Sequence, residues 1–141
     1  TEKDAEKYTK KTNKLRDQYL GYKIEGQYLN GELTLGENIA DLGGVSISYH
    51  SLMNYLKDNT DESVVLEGFT PQQRFFLNYA KIWRCNTRSK EIINRLVTDP
   101  HSPPEFRVNG VVTNLDEFYE AFNVKDGNQL WKDKEDRINI W

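Results

Sequence analysis

The chain has 141 residues, with 19 Lys and Arg against 22 Asp and Glu, two His and one Cys. A net charge of −3 argues against a general nucleic-acid binder; one Cys excludes an internal disulfide framework and, with two His, excludes zinc sites built from four Cys or from two Cys and two His. No apolar run approaches the roughly 20 residues that cross a bilayer, and 12% aromatic residues are too many for a disordered chain.

The length fits a single unit over residues 1–141. Its first element is a helix from about Asp4 to Tyr22, where Ala5, Tyr8, Thr12, Leu15 and Tyr19 recur at spacings of three and four. Gly21, Gly26 and Asn30-Gly31 break that pattern into a loop. A single helix from about Leu35 to Lys57 then accounts most simply for Val45, Tyr49, Leu52, Met53 and Leu56. It must tolerate Gly43 and Gly44, each costing about 1 kcal/mol against Ala. Close approach of another backbone would explain both glycines; a break into two shorter helices is the alternative.

Asp58 to Gly68 is a polar, acidic loop. Thr70-Pro71-Gln72-Gln73 predicts a helix start, with Thr at the N-cap, Pro at the first helical position and Gln at the third. Phe75, Phe76, Tyr79, Ala80, Ile82 and Trp83 make it a core helix, and Cys85 beyond it reads as a small buried side chain. A further helix, Ser89 to Val97, carries Ile92, Ile93 and Leu96. Pro100, Pro103 and Pro104 exclude a continuous helix through the next loop. Asn109-Gly110, between Phe106-Arg107-Val108 and Val111-Val112, predicts a short hairpin, an irregular ribbon or a plain turn. Asn114 with Glu117 reads as a cap opening a last helix through Phe118 and Phe122. The fold class is therefore mainly α, with at most a short hairpin near 106–112.

Two stretches carry chemistry. Glu37 and Asp41 lie four apart on one helix face, where like charges repel unless a cation stands between them. By spacing alone, a solvated acidic face is the more common origin of such a pair. In Asp99-Pro100-His101, the Asp is placed to accept from one ring nitrogen, fix the tautomer and favour the imidazolium, which makes the other nitrogen a donor. Arg107 adds a planar cationic fork suited to a carbonyl or carboxylate. A loop His in a local salt bridge is the plainer reading of that stretch.

Taken together, Leu35-Gly36-Glu37-Asn38-Ile39-Ala40-Asp41-Leu42-Gly43-Gly44, Asp99-Pro100-His101-Ser102-Pro103, Phe106-Arg107-Val108-Asn109-Gly110 and the terminal Trp141 resemble, in order, the C-terminal end of the neprilysin family of zinc metallopeptidases. The resemblance implies that Glu37 is the third zinc ligand, completing a site with two His, and Asp41 the acid that orients a zinc-bound His. It implies that His101 stabilises the tetrahedral transition state with Asp99 as its orienting partner, and that Arg107 holds a substrate backbone carbonyl. In such sites zinc polarises the scissile carbonyl and activates water, while a Glu acts as general base.

The departure from the family pattern is equally specific. Neither His50 nor His101 belongs to an HExxH motif, which in the family lies upstream of the Glu-x-x-x-Asp segment. The expectation is therefore a C-terminal part of a peptidase catalytic domain that acts on peptides, inactive alone and not retaining zinc. The helix face of Glu37, Asp41, Gly43 and Gly44 would then be left exposed, disordered or covered by self-association. The resemblance also implies a secreted, periplasmic or cell-surface setting. A non-catalytic helical interaction module on the same scaffold is the alternative function, and a metal site from Glu37, His101 and His50 has no further support in the sequence.

Overall fold

The computed structural model describes residues 1–60 and 63–140, so Asp61 and Glu62 of the acidic loop and the motif residue Trp141 lie outside the described residues. Six α-helices are described: α1 (Glu2–Leu20), α2 (Gly31–Asp58), α3 (Pro71–Ile82), α4 (Ser89–Thr98), α5 (Pro104–Val112) and α6 (Asp116–Phe122). Two two-residue strands, β1 (Lys23–Ile24) and β2 (Gln27–Tyr28), pair antiparallel between α1 and α2. The mainly helical expectation is met, but the hairpin sits elsewhere than predicted.

Helix α1 starts on a capping box, in which the Thr1 hydroxyl accepts from the Asp4 N–H and the Asp4 side chain turns back to Thr1. Its predicted seam is buried at Thr12, Leu15 and Tyr19, while Ala5 and Tyr8 stay exposed because only the second half of the helix is covered. Glu25 and Gly26 both take positive φ, 50° and 78°, which closes the β1–β2 turn. Asn30 then caps α2, accepting from the Leu33 N–H at 3.1 Å. Gly31, expected in a loop, is the first residue of α2, and a Cβ there would collide with the Arg16 carbonyl and Leu20 of α1. That close approach is why a glycine stands at this crossing.

Helix α2 runs unbroken through Gly43 and Gly44. A Cβ on Gly44 would meet nothing within 4 Å, and close approach of another backbone is found instead at Gly31. α3 opens as predicted on the Thr70 and Gln73 capping box with Pro71 in its first turn. Its Phe75 and Phe76 join Tyr49, Phe118 and Phe122 in edge-to-face, stacked and tilted ring contacts, which binds α2, α3 and α6 into one core. Cys85 is exposed rather than buried, because the chain has already left α3.

The turn or hairpin expected at 106–112 is corrected to helix α5. Pro103 and Pro104 start the helix by fixing φ where no N–H bond is needed, and Gly110 belongs to a helix crossing. A Cβ on Gly110 would stand 2.5 Å from the Tyr19 hydroxyl oxygen, and that hydroxyl donates to the Phe106 carbonyl at 3.1 Å. Asn114 does not cap α6 either. Its side-chain oxygen accepts from Lys132 Nζ and the Ile138 N–H, and Leu115 is the capping residue without a side-chain bond. These bonds return the tail to the core, where Ile138 and Ile140 are buried and Lys11 donates to the Ile140 carbonyl.

Candidate active site

Three segments converge beside α2. Glu37 and Asp41 come from one face of that helix, Asp99 and His101 from the proline-stiffened loop before α5, and Arg107 from the first turn of α5. A buried polar ladder fixes the loop to the helix. The Ser102 hydroxyl donates to Asn38 Oδ1 at 2.8 Å, and Asn38 Nδ2 donates to the Thr34 hydroxyl at 2.9 Å. Sequence reasoning gave Asn38 and Ser102 no role of their own. A poor helix former at the centre of an apolar helix face was the available signal, since a buried amide has to find partners.

Asp99 accepts twice from His101, from its N–H at 2.9 Å and from ring Nδ1 at 2.8 Å. The backbone bond first, and the ring bond second, hold the Asp99 carboxyl below its ordinary range. This is the contact predicted from the Asp-Pro-His spacing. With Nδ1 engaged, Nε2 is the free end of the ring and stands 3.5 Å from Glu37 Oε2. Both side chains of that pair are 44% exposed, so the cluster opens to solvent.

Asp41 and Arg107 form a tighter pair. Arg107 Nε donates to Asp41 Oδ2 and Nη2 to Oδ1, both at 2.6 Å, with each side chain only 13% exposed. Burial works against the Arg107 charge, but the Asp41 carboxylate outweighs it and the guanidinium is held above its ordinary value. The Arg107 guanidinium carbon also lies 3.7 Å from the centroid of the Trp83 ring, and the Tyr79 hydroxyl donates to the Arg107 carbonyl at 2.8 Å. Trp83, read from the sequence only as an apolar core residue, is therefore part of the site. A cavity of about 240 Å³ is lined by Trp83, Ile92, Leu96, Asp99, His101 and Arg107, among others. It combines apolar walls with a few converging polar groups, the usual composition of a ligand site.

His50 takes no part. Its ring contacts the Ser46 carbonyl at 2.8 Å and Glu117 at 3.4 Å, on the side facing α6. Among the described residues no group of three His, Cys, Asp or Glu is placed to hold a metal ion, so a site from Glu37, His101 and His50 is not formed. Along α2, Ala40 and Gly44 are exposed, whereas Gly43 is buried and Asp41 is largely covered by Arg107. The half-site face is thus only partly open. No helix among the described residues is long and apolar enough to cross a membrane.

The family model described as peptidase family M13 matches residues 1–138. The chain belongs to peptidase family M13. Relatives of this M13 chain include neprilysin-3 of Drosophila melanogaster, 36% identical over 99% of the chain and 18% of that protein. Endothelin-converting enzyme 1 of Homo sapiens is 40% identical over 89% of the chain and 16% of that protein. A structure of the Mycobacterium tuberculosis zinc metalloprotease ZMP1 in complex with inhibitor superposes with a TM-score of 0.90 at 42% identity, over 95% of the chain and 21% of that protein. The M13 chain therefore spans about a fifth of the length of these relatives.

Proposed function

We propose that the chain is the C-terminal part of the catalytic domain of a zinc-dependent endopeptidase or oligopeptidase. The observation that supports this reading is the convergence of Glu37, Asp41, Asp99, His101 and Arg107, from three segments, on one patch beside a cavity, open to solvent at Glu37 and His101 and covered at Asp41 and Arg107. Glu37 is assigned as one zinc ligand; among the described residues no three His, Cys, Asp or Glu are grouped to hold a metal ion, whereas catalytic zinc takes three protein ligands. The other two ligands and the general base are assigned to chain beyond these 141 residues. The exposed Ala40 and Gly44 edge of α2 leaves room for a helix carrying them.

Within the chain the roles divide by chemistry. Asp99 accepts from Nδ1 of His101, and in the imidazolium form the outward Nε2–H is a donor for the oxygen on which negative charge grows during peptide-bond attack. Arg107 has five N–H groups, of which one on Nε and one on Nη2 are engaged by Asp41, leaving donors for a substrate backbone carbonyl. Asp41 holds that fork and retains lone pairs for a metal-bound His. The parent is assigned to a secreted, periplasmic or cell-surface setting, as its resemblance to the neprilysin family implies.

The test compares the 141-residue chain with the full-length protein for zinc content and peptide hydrolysis. The short chain is expected to hold no stoichiometric zinc and to turn nothing over. In the full-length protein, Glu37→Val is expected to abolish zinc retention, and His101→Ala to lower kcat more than it changes KM. Tight zinc with turnover in the short chain, or a His101→Ala enzyme altered only in KM, defeats the assignment.

A further inference from the structure

Arg107 is held more firmly than a surface binding arginine needs to be. Asp41 chelates its Nε and Nη2 edge from α2, the Trp83 ring at the end of α3 lies 3.7 Å from its guanidinium carbon, and Tyr79 one turn earlier fixes its carbonyl. A guanidinium bound through Nε and Nη2 keeps three N–H groups, two on Nη1 and one on Nη2, turned away from the carboxylate. The carboxylate alone defines the guanidinium's edge but leaves it free to rock about the axis through Asp41. A ring face against it removes that freedom, and a partly desolvated cation–π contact is strong enough to do so.

We propose that Trp83 is a positioning residue acting through Arg107, with the Tyr79 hydroxyl as its backbone counterpart. Together with Asp41 they fix the guanidinium plane, so that the remaining Nη1–H and Nη2–H meet a substrate carbonyl as a preoriented pair of donors. Burial first, and the nearby Asp41 charge second, push the Tyr79 hydroxyl well above its ordinary pKa, which keeps it a donor throughout the neutral range. The inference rests on the reading of Arg107 as a carbonyl anchor. It goes beyond that reading by assigning the ring stack a function separate from lining the cavity.

Two measurements separate the inference from the peptidase reading. In the 141-residue chain, the Arg107 Nε–H resonance is expected to be displaced by the ring current of Trp83. Trp83→Leu is expected to remove that displacement and Trp83→Phe to retain most of it. An unchanged resonance in Trp83→Leu means there is no stack and overturns the inference. In the full-length protein, loaded with zinc and assayed on a fluorogenic peptide, Trp83→Leu is expected to lower kcat/KM about tenfold and Trp83→Phe less than about threefold. In an Arg107→Ala background the same Trp83→Leu change should cost less than about twofold, because the residue it acts through is gone. An equal loss in both backgrounds makes Trp83 an independent wall of the cavity and overturns the positioning role. If the wild-type protein hydrolyses no peptide, the peptidase reading fails, and the resonance measurement still decides whether Trp83 positions Arg107.

Discussion

Two arginines in this molecule are built alike and backed differently. Arg107 lies 3.7 Å from the Trp83 ring centroid and is chelated by Asp41; Arg137 lies 3.4 Å from the Tyr119 ring centroid and bonds Asp116 at 2.8 Å. Both guanidiniums are largely covered, at 13% and 10% exposure. Their carboxylates differ: Asp41 is 13% exposed and bound at both oxygens by one arginine, whereas Asp116 is 44% exposed and shared with Lys134. The Arg107 pair ties α2 to α5 at the cavity, and the Arg137 pair staples the tail to α6. An arginine against an aromatic ring therefore serves positioning in one place and chain docking in the other, and the solvent exposure of the acid distinguishes the two pairs.

The largest test removes the buried acid. Asp41→Asn leaves the Arg107 charge covered without its anion and is expected to cost about 3 kcal/mol, read by urea unfolding of the chain. Replacing both partners together, Asp41→Leu with Arg107→Met, should cost less than Asp41→Asn alone. If the double replacement is the worse of the two, the pair is a net source of stability and the contrast with Arg137 lies elsewhere.

A second test moves the platform under Arg107. Gly110→Ala places a methyl group against the buried Tyr19 ring and hydroxyl, on the helix that carries Arg107. The expected loss is about 2 kcal/mol, since neither α1 nor α5 can yield without opening the core. A neutral result would show that α5 is loosely seated, and the firmness ascribed to Arg107 would then have to come from its side chain alone.

How much of this was legible in the sequence follows from the range of each interaction. The Asp99–His101 contact spans two residues and Thr70 with Gln73 spans three, so local spacing was enough to find them. The Trp83 stack joins residues 24 apart in sequence, the Ser102–Asn38 bond 64 apart, and neither leaves a periodic trace. Asn109-Gly110 misled because a turn dipeptide and a helix-crossing glycine look identical until the Tyr19 ring is placed opposite. Asn114 misled for a related reason: its amide is claimed by Lys132 and the tail, a demand from residues far along the chain that outweighs the local N-cap. The Glu37 and Asp41 pair was readable as a motif, but its spacing did not say that one acid would face solvent and the other an arginine.

The tail side has its own titration, smaller than the loss at Asp41. Lys132 donates to the Gln18 and Asn114 amide oxygens at 2.6 and 2.9 Å, and desolvation lowers its pKa from 10.5 to about 8. A depressed lysine is charged more readily unfolded than folded, so between about pH 8 and 10.5 the unfolded chain binds more protons and stability rises with pH. The amine is only partly covered, which holds the gain to about 1 kcal/mol. Lys132→Met should flatten that slope in urea unfolding measured across pH 7 to 10.5. A slope that persists in the variant assigns the titration to another group.

The smallest effect is expected where the second arginine meets its acid. Arg137 and then Lys134 hold the Asp116 carboxyl below its ordinary range, so the stability it supplies is present above about pH 4 and is lost as pH falls through the lowered folded value. Asp116 is nearly half exposed and water screens it, so Asp116→Asn should cost about 0.5 kcal/mol near neutral pH and nothing once the native carboxyl is protonated. Arg137 keeps the Tyr119 ring and its bond to the Lys132 carbonyl in that variant, and the tail should stay docked. A loss at Asp116 as large as the loss at Asp41 would remove the distinction drawn from exposure. The difference between the two arginines would then lie in what each helix carries, not in how water reaches its partner.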